Sequence, residues 1–160
     1  MCVRCLLMTV PEPQFDELYR EVILDHYRRP RNRGKLTDAT AHADGANPVC
    51  GDEISLDVRL DDGRIESLAF EGVGCSISQA SASLMTDRVS STPIEEAQAV
   101  RAAFRKMLLE NGTPDPSIGD LEVLEGVKKF PVRVKCALLA WNVLDRALEA
   151  QPDHKSGDDQ

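Results

Sequence analysis

Residues 54–71 leave this chain little choice of fold. Ile54-Ser55-Leu56-Asp57-Val58-Arg59-Leu60 alternates apolar and polar side chains, the period-two pattern of a strand with one buried face. Asp61-Asp62-Gly63-Arg64 carries the Asp-Gly signal of a tight hairpin, and Ile65–Glu71 returns as a second strand. An antiparallel hairpin sets its entry beside its exit. Cys50 precedes the entry and Cys75 follows the exit, so their 25-residue separation becomes a short distance in space.

The elements around the hairpin are helical. Phe15, Leu18, Tyr19, Val22, Ile23, His26 and Tyr27 fall on helical spacing and predict an amphipathic helix ending before Pro30. His26 lies on its apolar stripe and reads as a packed, hydrogen-bonded core histidine. Residues 30–49 read as an extended loop, with a short strand near Thr40–Ala43, and its His42 is a lone candidate ligand. Ser76 to about Val89 reads as a helix with Ile77, Ala80, Leu84 and Arg88 on one face. Cys75 then stands at its N-terminal edge, where free N–H groups and the helix dipole favour a thiolate. Thr92-Pro93-Ile94-Glu95 resembles a capping box opening a third helix that stops near Asn111-Gly112, and residues 112–120 read as loop. Val134, Leu138, Trp141, Leu144, Asp145 and Leu148 predict a last helix with Cys136 in its first turns.

Three cysteines thus stand at junctions of loop and regular structure: Cys50 in Asn47-Pro48-Val49-Cys50-Gly51-Asp52, Cys75 after Gly74, and Cys136 just past Pro131. One buried cysteine alone reads as a small hydrophobe. Three such settings, two pinned by a hairpin, point instead to a shared site. Asp52 raises the donor count to the four that zinc takes, although on spacing it reads equally well as a turn or capping carboxylate. A carboxylate is a weaker partner for a soft metal than a fourth thiolate, so ligands could exchange. The C-x-x-C pairs of a structural zinc ribbon are absent from these three.

With 160 residues, 42% hydrophobic and 29% charged, the chain suits one globular domain. We expect a flexible extension over 1–13, a single domain over 14–150 and a disordered tail over 151–160, with no role for His154. The net charge of −8 argues against nucleic acid as a partner. The basic run Arg28-Arg29-Pro30-Arg31-Asn32-Arg33 reads as a solvated helix end, with partner docking as the minority reading. No stretch reaches the roughly 18 apolar residues of a membrane span, and the N-terminus lacks a signal-peptide pattern. Five cysteines without an export signal suit reduced thiols and a cytoplasmic location. Cys2 and Cys5 form a C-x-x-C at a terminus expected to fray, and Met8 is an alternative start.

At these residues the sequence resembles the U-type iron–sulfur assembly proteins, and among them the SufU branch. Leu24-Asp25-His26-Tyr27-Arg28-Arg29-Pro30-Arg31-Asn32, the Cys50 run, Gly74-Cys75-Ser76-Ile77-Ser78-Gln79-Ala80-Ser81 and Pro131-Val132-Arg133-Val134-Lys135-Cys136 carry the resemblance from about Leu18 to Ala150. The related IscU scaffolds have histidine immediately before the third cysteine, where this chain has Lys135. The 61 residues from Cys75 to Cys136 leave room for the insertion typical of SufU-like members. The resemblance implies an α+β fold: a small antiparallel sheet of about three strands packed against four or five helices.

It also implies zinc held by Cys50, Asp52, Cys75 and Cys136, with iron or a transient iron–sulfur cluster as the alternative occupant. The implied activity is that of a zinc-dependent sulfur acceptor, a co-substrate of a SufS-type, pyridoxal-phosphate cysteine desulfurase rather than a stand-alone enzyme. On docking, a desulfurase histidine replaces Cys50 on the metal, and the freed Cys50 thiolate attacks the outer sulfur of the donor persulfide. Arg133 matches a family arginine near the metal and is assigned to steadying thiolate or persulfide charge. Downstream Suf scaffold proteins are the implied recipients, and a monomer or weak dimer is expected. The competing reading is a scaffold on which a nascent iron–sulfur cluster is assembled.

Overall fold

The computed structural model describes residues 17–48, 51–110 and 112–149. The expected hairpin is its centre: β2 (Asp52–Asp61) and β3 (Arg64–Val73) pair antiparallel, with Asp61 opposite Arg64. Asp62 and Gly63 make the turn with φ of 54° and 77°. Two left-handed residues define the type I′ turn, whose twist matches that of the strands it joins. A register shift at Arg59/Leu60 adds a bulge near the turn. Ile54, Leu56, Val58 and Leu60 alternate into the core, where Ile65, Leu68 and Phe70 of β3 join them.

The sheet has four strands, in the order β1-β2-β3-β4, and the described residues form five helices. The α+β expectation holds, with one strand more than anticipated. Strand β1 covers Ala41–Asn47, longer than the expected Thr40–Ala43. Its sequence has no large apolar residue to signal a buried face. A side chain at Gly45 would meet Val143 Cγ2 at 2.6 Å and Arg146 Nη2 at 2.7 Å, so the last helix packs directly on the strand backbone. Strand β4 is the two residues Thr92–Pro93, paired with Ile65 and Arg64. The expected capping box is therefore not formed: Thr92 Oγ1 donates instead to the Val89 carbonyl at 2.7 Å. Pairing with β3 has claimed these residues before the helix begins.

Helix α1 (Glu17–Arg28) buries Ile23 and His26, as expected. Helix α2 (Ser76–Val89) is buried almost all round rather than on one stripe, and its small polar residues Ser78, Ser81, Ser83 and Thr86 lie inside. Each of these hydroxyls is hydrogen-bonded, as burial of a polar group demands. Helix α3 (Ile94–Leu109) follows, then a 3-10 segment (Pro116–Lys129) kinked at Gly119. That segment overrides the expected loop from Pro116 onward: Ile118, Leu121, Leu124 and Val127 are driven into the core. Helix α4 (Pro131–Glu149) places Trp141 in the core, 5.4 Å between ring centroids from Phe104.

The loop after α1 is tied to the sheet. Arg33 and Phe70 form a parallel bridge, in which the Phe70 N–H donates to Asn32 O (3.0 Å) and the Gly34 N–H donates to Phe70 O (2.8 Å). The Arg31 N–H donates to Ser83 Oγ at 2.8 Å, and the same hydroxyl meets His26 Nδ1 at 2.7 Å. Burial, reinforced by the Arg31 charge, pushes the His26 imidazole below its usual pKa.

Candidate metal centre

The open end of the hairpin, the start of α2 and the second turn of α4 converge on one point. One donor atom each from Asp52, Cys75 and Cys136 lies within 4.8 Å of the other two. Asp52 opens β2 and is fully buried; Cys136 is fully buried and Cys75 partly so. Cys50 lies outside the described residues, as do Cys2, Cys5 and His154.

Local sequence explains each placement. Gly74 has φ of +150°, which L side chains rarely adopt, and a Cβ there would overlap Asp52 Oδ1 and approach Ser78 Oγ at 2.7 Å. The bare glycine lets the chain leave β3 and enter α2 hard against the carboxylate. Cys75 is the N-cap residue of α2, extended at φ −74° and ψ 168°, as its expected helix-edge position requires. Its N–H donates to Asp52 Oδ1 at 2.9 Å. Ser78 Oγ donates to the Cys75 carbonyl at 3.1 Å, fixing the other side of that residue.

Asp52 Oδ2 is buried and has no hydrogen-bond partner among the described residues. An unpaired buried carboxylate oxygen is costly unless a cation meets it. With two thiols beside it, the donor set O, S, S suits a borderline-soft metal such as zinc or iron. Asn47, buried at the end of β1, directs Nδ2 toward Cys136 Sγ at 4.0 Å. Asn47 has no role in the sequence pattern alone, where its one signal is a polar residue one step before a proline and three before Cys50.

Other candidates fall elsewhere. Arg133 is exposed in the first turn of α4, three residues before Cys136, and its side chain has no hydrogen-bond or ion-pair partner among the described residues. Lys135 is exposed on the same turn. His42 is on the exposed parity of β1 and joins no metal-donor cluster among the described residues; its Nδ1 meets Asp57 Oδ1 at 2.6 Å and its Nε2 meets Asp44 at 3.1 Å. The Asp57 hydrogen bond, against a smaller cost of burial, raises the His42 pKa. No helix of the described residues is long and apolar enough to cross a membrane.

A small antiparallel sheet, helices on it, and thiol and carboxylate donors gathered at the hairpin's open end define a U-type protein of iron–sulfur cluster assembly. The chain belongs to the family described as NifU-like N terminal domain, whose model matches residues 18–156. It is 46% identical over 134 residues to the zinc-dependent sulfurtransferase SufU of Bacillus subtilis, covering 83% of this chain and 90% of that one. It is 42% identical over 148 residues to the iron–sulfur cluster assembly scaffold protein IscU of Streptococcus pyogenes, covering 92% of each. A crystal structure from Fervidobacterium islandicum, put forward as the assembly scaffold of its SUF system, superposes with a TM-score of 0.77, at 34% identity over 80% of this chain and 94% of that one.

Proposed function

We propose that this protein is a zinc-dependent sulfur acceptor, taking persulfide sulfur from a cysteine desulfurase for iron–sulfur cluster assembly in the cytoplasm. The observation that supports it best is the buried Asp52 Oδ2, unpartnered and beside two thiols. Asp52, Cys75 and Cys136 supply three donors, and Cys50, two residues before Asp52, supplies the fourth. Zinc bound there keeps thiols deprotonated at neutral pH while limiting their reactivity.

The chain's own residues then have separate tasks. Asp52 holds the Cys75 backbone through Oδ1, and its Oδ2 would be the oxygen donor to the metal. Cys50 is the nucleophile: its thiolate attacks the terminal sulfur of the donor persulfide, forming a new S–S bond. The old S–S bond breaks, and its electron pair leaves on the donor cysteine as thiolate, so no external oxidant or reductant is needed. We assign Arg133, exposed three residues before Cys136, to steadying the charge of the persulfide product.

The expected result of Cys50→Ala is loss of desulfurase stimulation and of the added sulfur mass on the protein. Unchanged cysteine turnover by the desulfurase with C50A would overturn the reading. The scaffold reading is favoured by the similarity to IscU proteins, at 42% identity for the Streptococcus relative. Lys135, where scaffolds carry histidine, weighs against it. Anaerobic reconstitution with iron and sulfide separates the two. A stable coloured protein that has lost zinc supports the scaffold, and a colourless zinc protein supports sulfur transfer.

A further inference from the structure

We infer that the sulfur donor docks through an acidic surface bearing apolar contacts, because the rim of the candidate centre is cationic and apolar on an otherwise acidic molecule. This rests on the sulfur-acceptor reading and adds the chemistry of the partner's face. Five large apolar side chains are exposed among the described residues, and three of them flank the donors: Val73 at 61%, Phe130 at 38% and Val132 at 52%. Val73 is two residues before Cys75. Val132 is one helical turn before Cys136, and its carbonyl lies 3.7 Å from Cys136 Sγ. Single exposed apolar residues are ordinary, but a group around one polar centre marks a contact surface.

The charges at this rim are of one sign in excess. Lys129, Arg133 and Lys135 are exposed along the approach to Cys136 and its first helical turn, and none has an ion-pair partner among the described residues. Arg33 extends the patch to the hairpin side, where its Nη2 donates to the Gly72 carbonyl at 3.3 Å, three residues before Cys75. Glu53, in register with Val73, is an acid on this side, and Glu71 beside it is paired with Lys35. Several cations away from the rim are paired within the fold, among them Arg29 and Arg31 with Asp25, Arg88 with Glu96 and Lys35 with Glu71. A net charge of −8 repels a general polyanion such as nucleic acid, while this local patch draws an acidic protein surface into register. The segment bearing Arg33 is fixed to β3 and α2 before any partner arrives, so its ordering costs nothing on binding.

The test is calorimetric titration of the zinc-loaded full chain into a pyridoxal-phosphate cysteine desulfurase at about 0.05 M and about 0.5 M salt, a range over which screening of exposed charges changes strongly. The parent is expected to lose affinity about tenfold or more at the higher salt. Arg33→Glu, Lys129→Glu and Lys135→Glu should each raise Kd about three- to tenfold at low salt and much less at high salt. Val132→Ser should weaken binding at both. Lys106→Glu, an equal charge change on exposed α3 surface, should leave Kd unchanged. Zinc content and thermal melting of each variant verify that the fold is kept.

A salt-insensitive parent, or rim reversals no weaker than K106E, would overturn the inference. Equally tight, charge-dependent binding of mixed-sequence RNA would overturn the choice of an acidic protein face. Sulfur mass appearing on Cys50 alongside insensitive Kd values removes the docking inference alone. No association and no sulfur mass removes the acceptor reading with it.

Discussion

Gly74→Ala tests how tightly the backbone is fitted to the candidate ligand. A Cβ at Gly74 overlaps Asp52 Oδ1 and nears Ser78 Oγ, at a φ of +150°. Two costs follow. Holding a non-glycine residue in such a conformation costs about 1–3 kcal/mol. Moving Asp52 aside also breaks its hydrogen bond with the Cys75 N–H, and a bond to a charged acceptor contributes about 1.5–3 kcal/mol. Gly34→Ala separates the two, since Gly34 has φ of +132° with nothing within 4 Å of the added Cβ. It carries the strain without the collision. At about 2–4 °C per kcal/mol for a chain of this size, the lost hydrogen bond should make G74A melt roughly 3–12 °C below G34A. Paired thermal melts and zinc stoichiometry are the assay, with G34A retaining zinc and G74A losing it. Equal melting temperatures with full zinc in both would refute the fit between Gly74 and the Asp52 carboxylate.

Asp52→Asn keeps the shape and an acceptor for Cys75 while removing the charge of the orphaned Oδ2. We expect it to lose zinc, and to melt above the parent when both are stripped with chelator, because an unpaired buried charge is then relieved. Undiminished zinc content in D52N would show that Asp52 is no ligand. The two structured histidines should shape the pH profile in opposite directions. His26, with its pKa lowered from 6.5, contributes stability that is full above pH 6.5 and lost as pH falls through its depressed pKa. His42, raised from 6.5, contributes stability that is full below pH 6.5 and lost as pH rises through its elevated pKa. Melting temperature against pH should therefore lose its acid slope in His26→Gln and its alkaline slope in His42→Asn. The His42 effect should be the smaller, at a few tenths of a kcal/mol, because its pair is solvent-screened.

The hairpin and the last helix were legible because their signals are local: alternation, an Asp-Gly turn, and apolar residues at helical spacing. Cys75 at the edge of α2 followed from the same turn logic. Strand β1 was only partly legible, since Ala41, Ala43 and Gly45 owe their strand to β2 and to the close passage of α4. Strand β4 was illegible because a two-residue pairing leaves no periodicity. The 3-10 segment was masked by its proline and glycines, whose turn signals outweighed Ile118 and Leu121 in sequence but not in the core. Within the site, the hairpin implied that Cys50 and Cys75 meet, while Asp52 read equally well as a turn carboxylate and joined them through the family resemblance. The arrival of Cys136 depends on how α4 crosses the sheet, a tertiary fact that the sequence near Cys136 does not encode. The family resemblance carried it instead.

The distances along the chain between the three converging donors have a topological consequence. Asp52 and Cys75 are 23 residues apart, and Cys75 and Cys136 are 61 apart. An ion gripping all three would close two consecutive loops at once, restricting the unfolded chain much as a disulfide does, with the longer loop losing the more freedom. Helix α4 could not then peel from the sheet without first surrendering its sulfur. Metal occupancy would thus be readable far from the ligands, in slowed amide exchange along Ala137–Leu148.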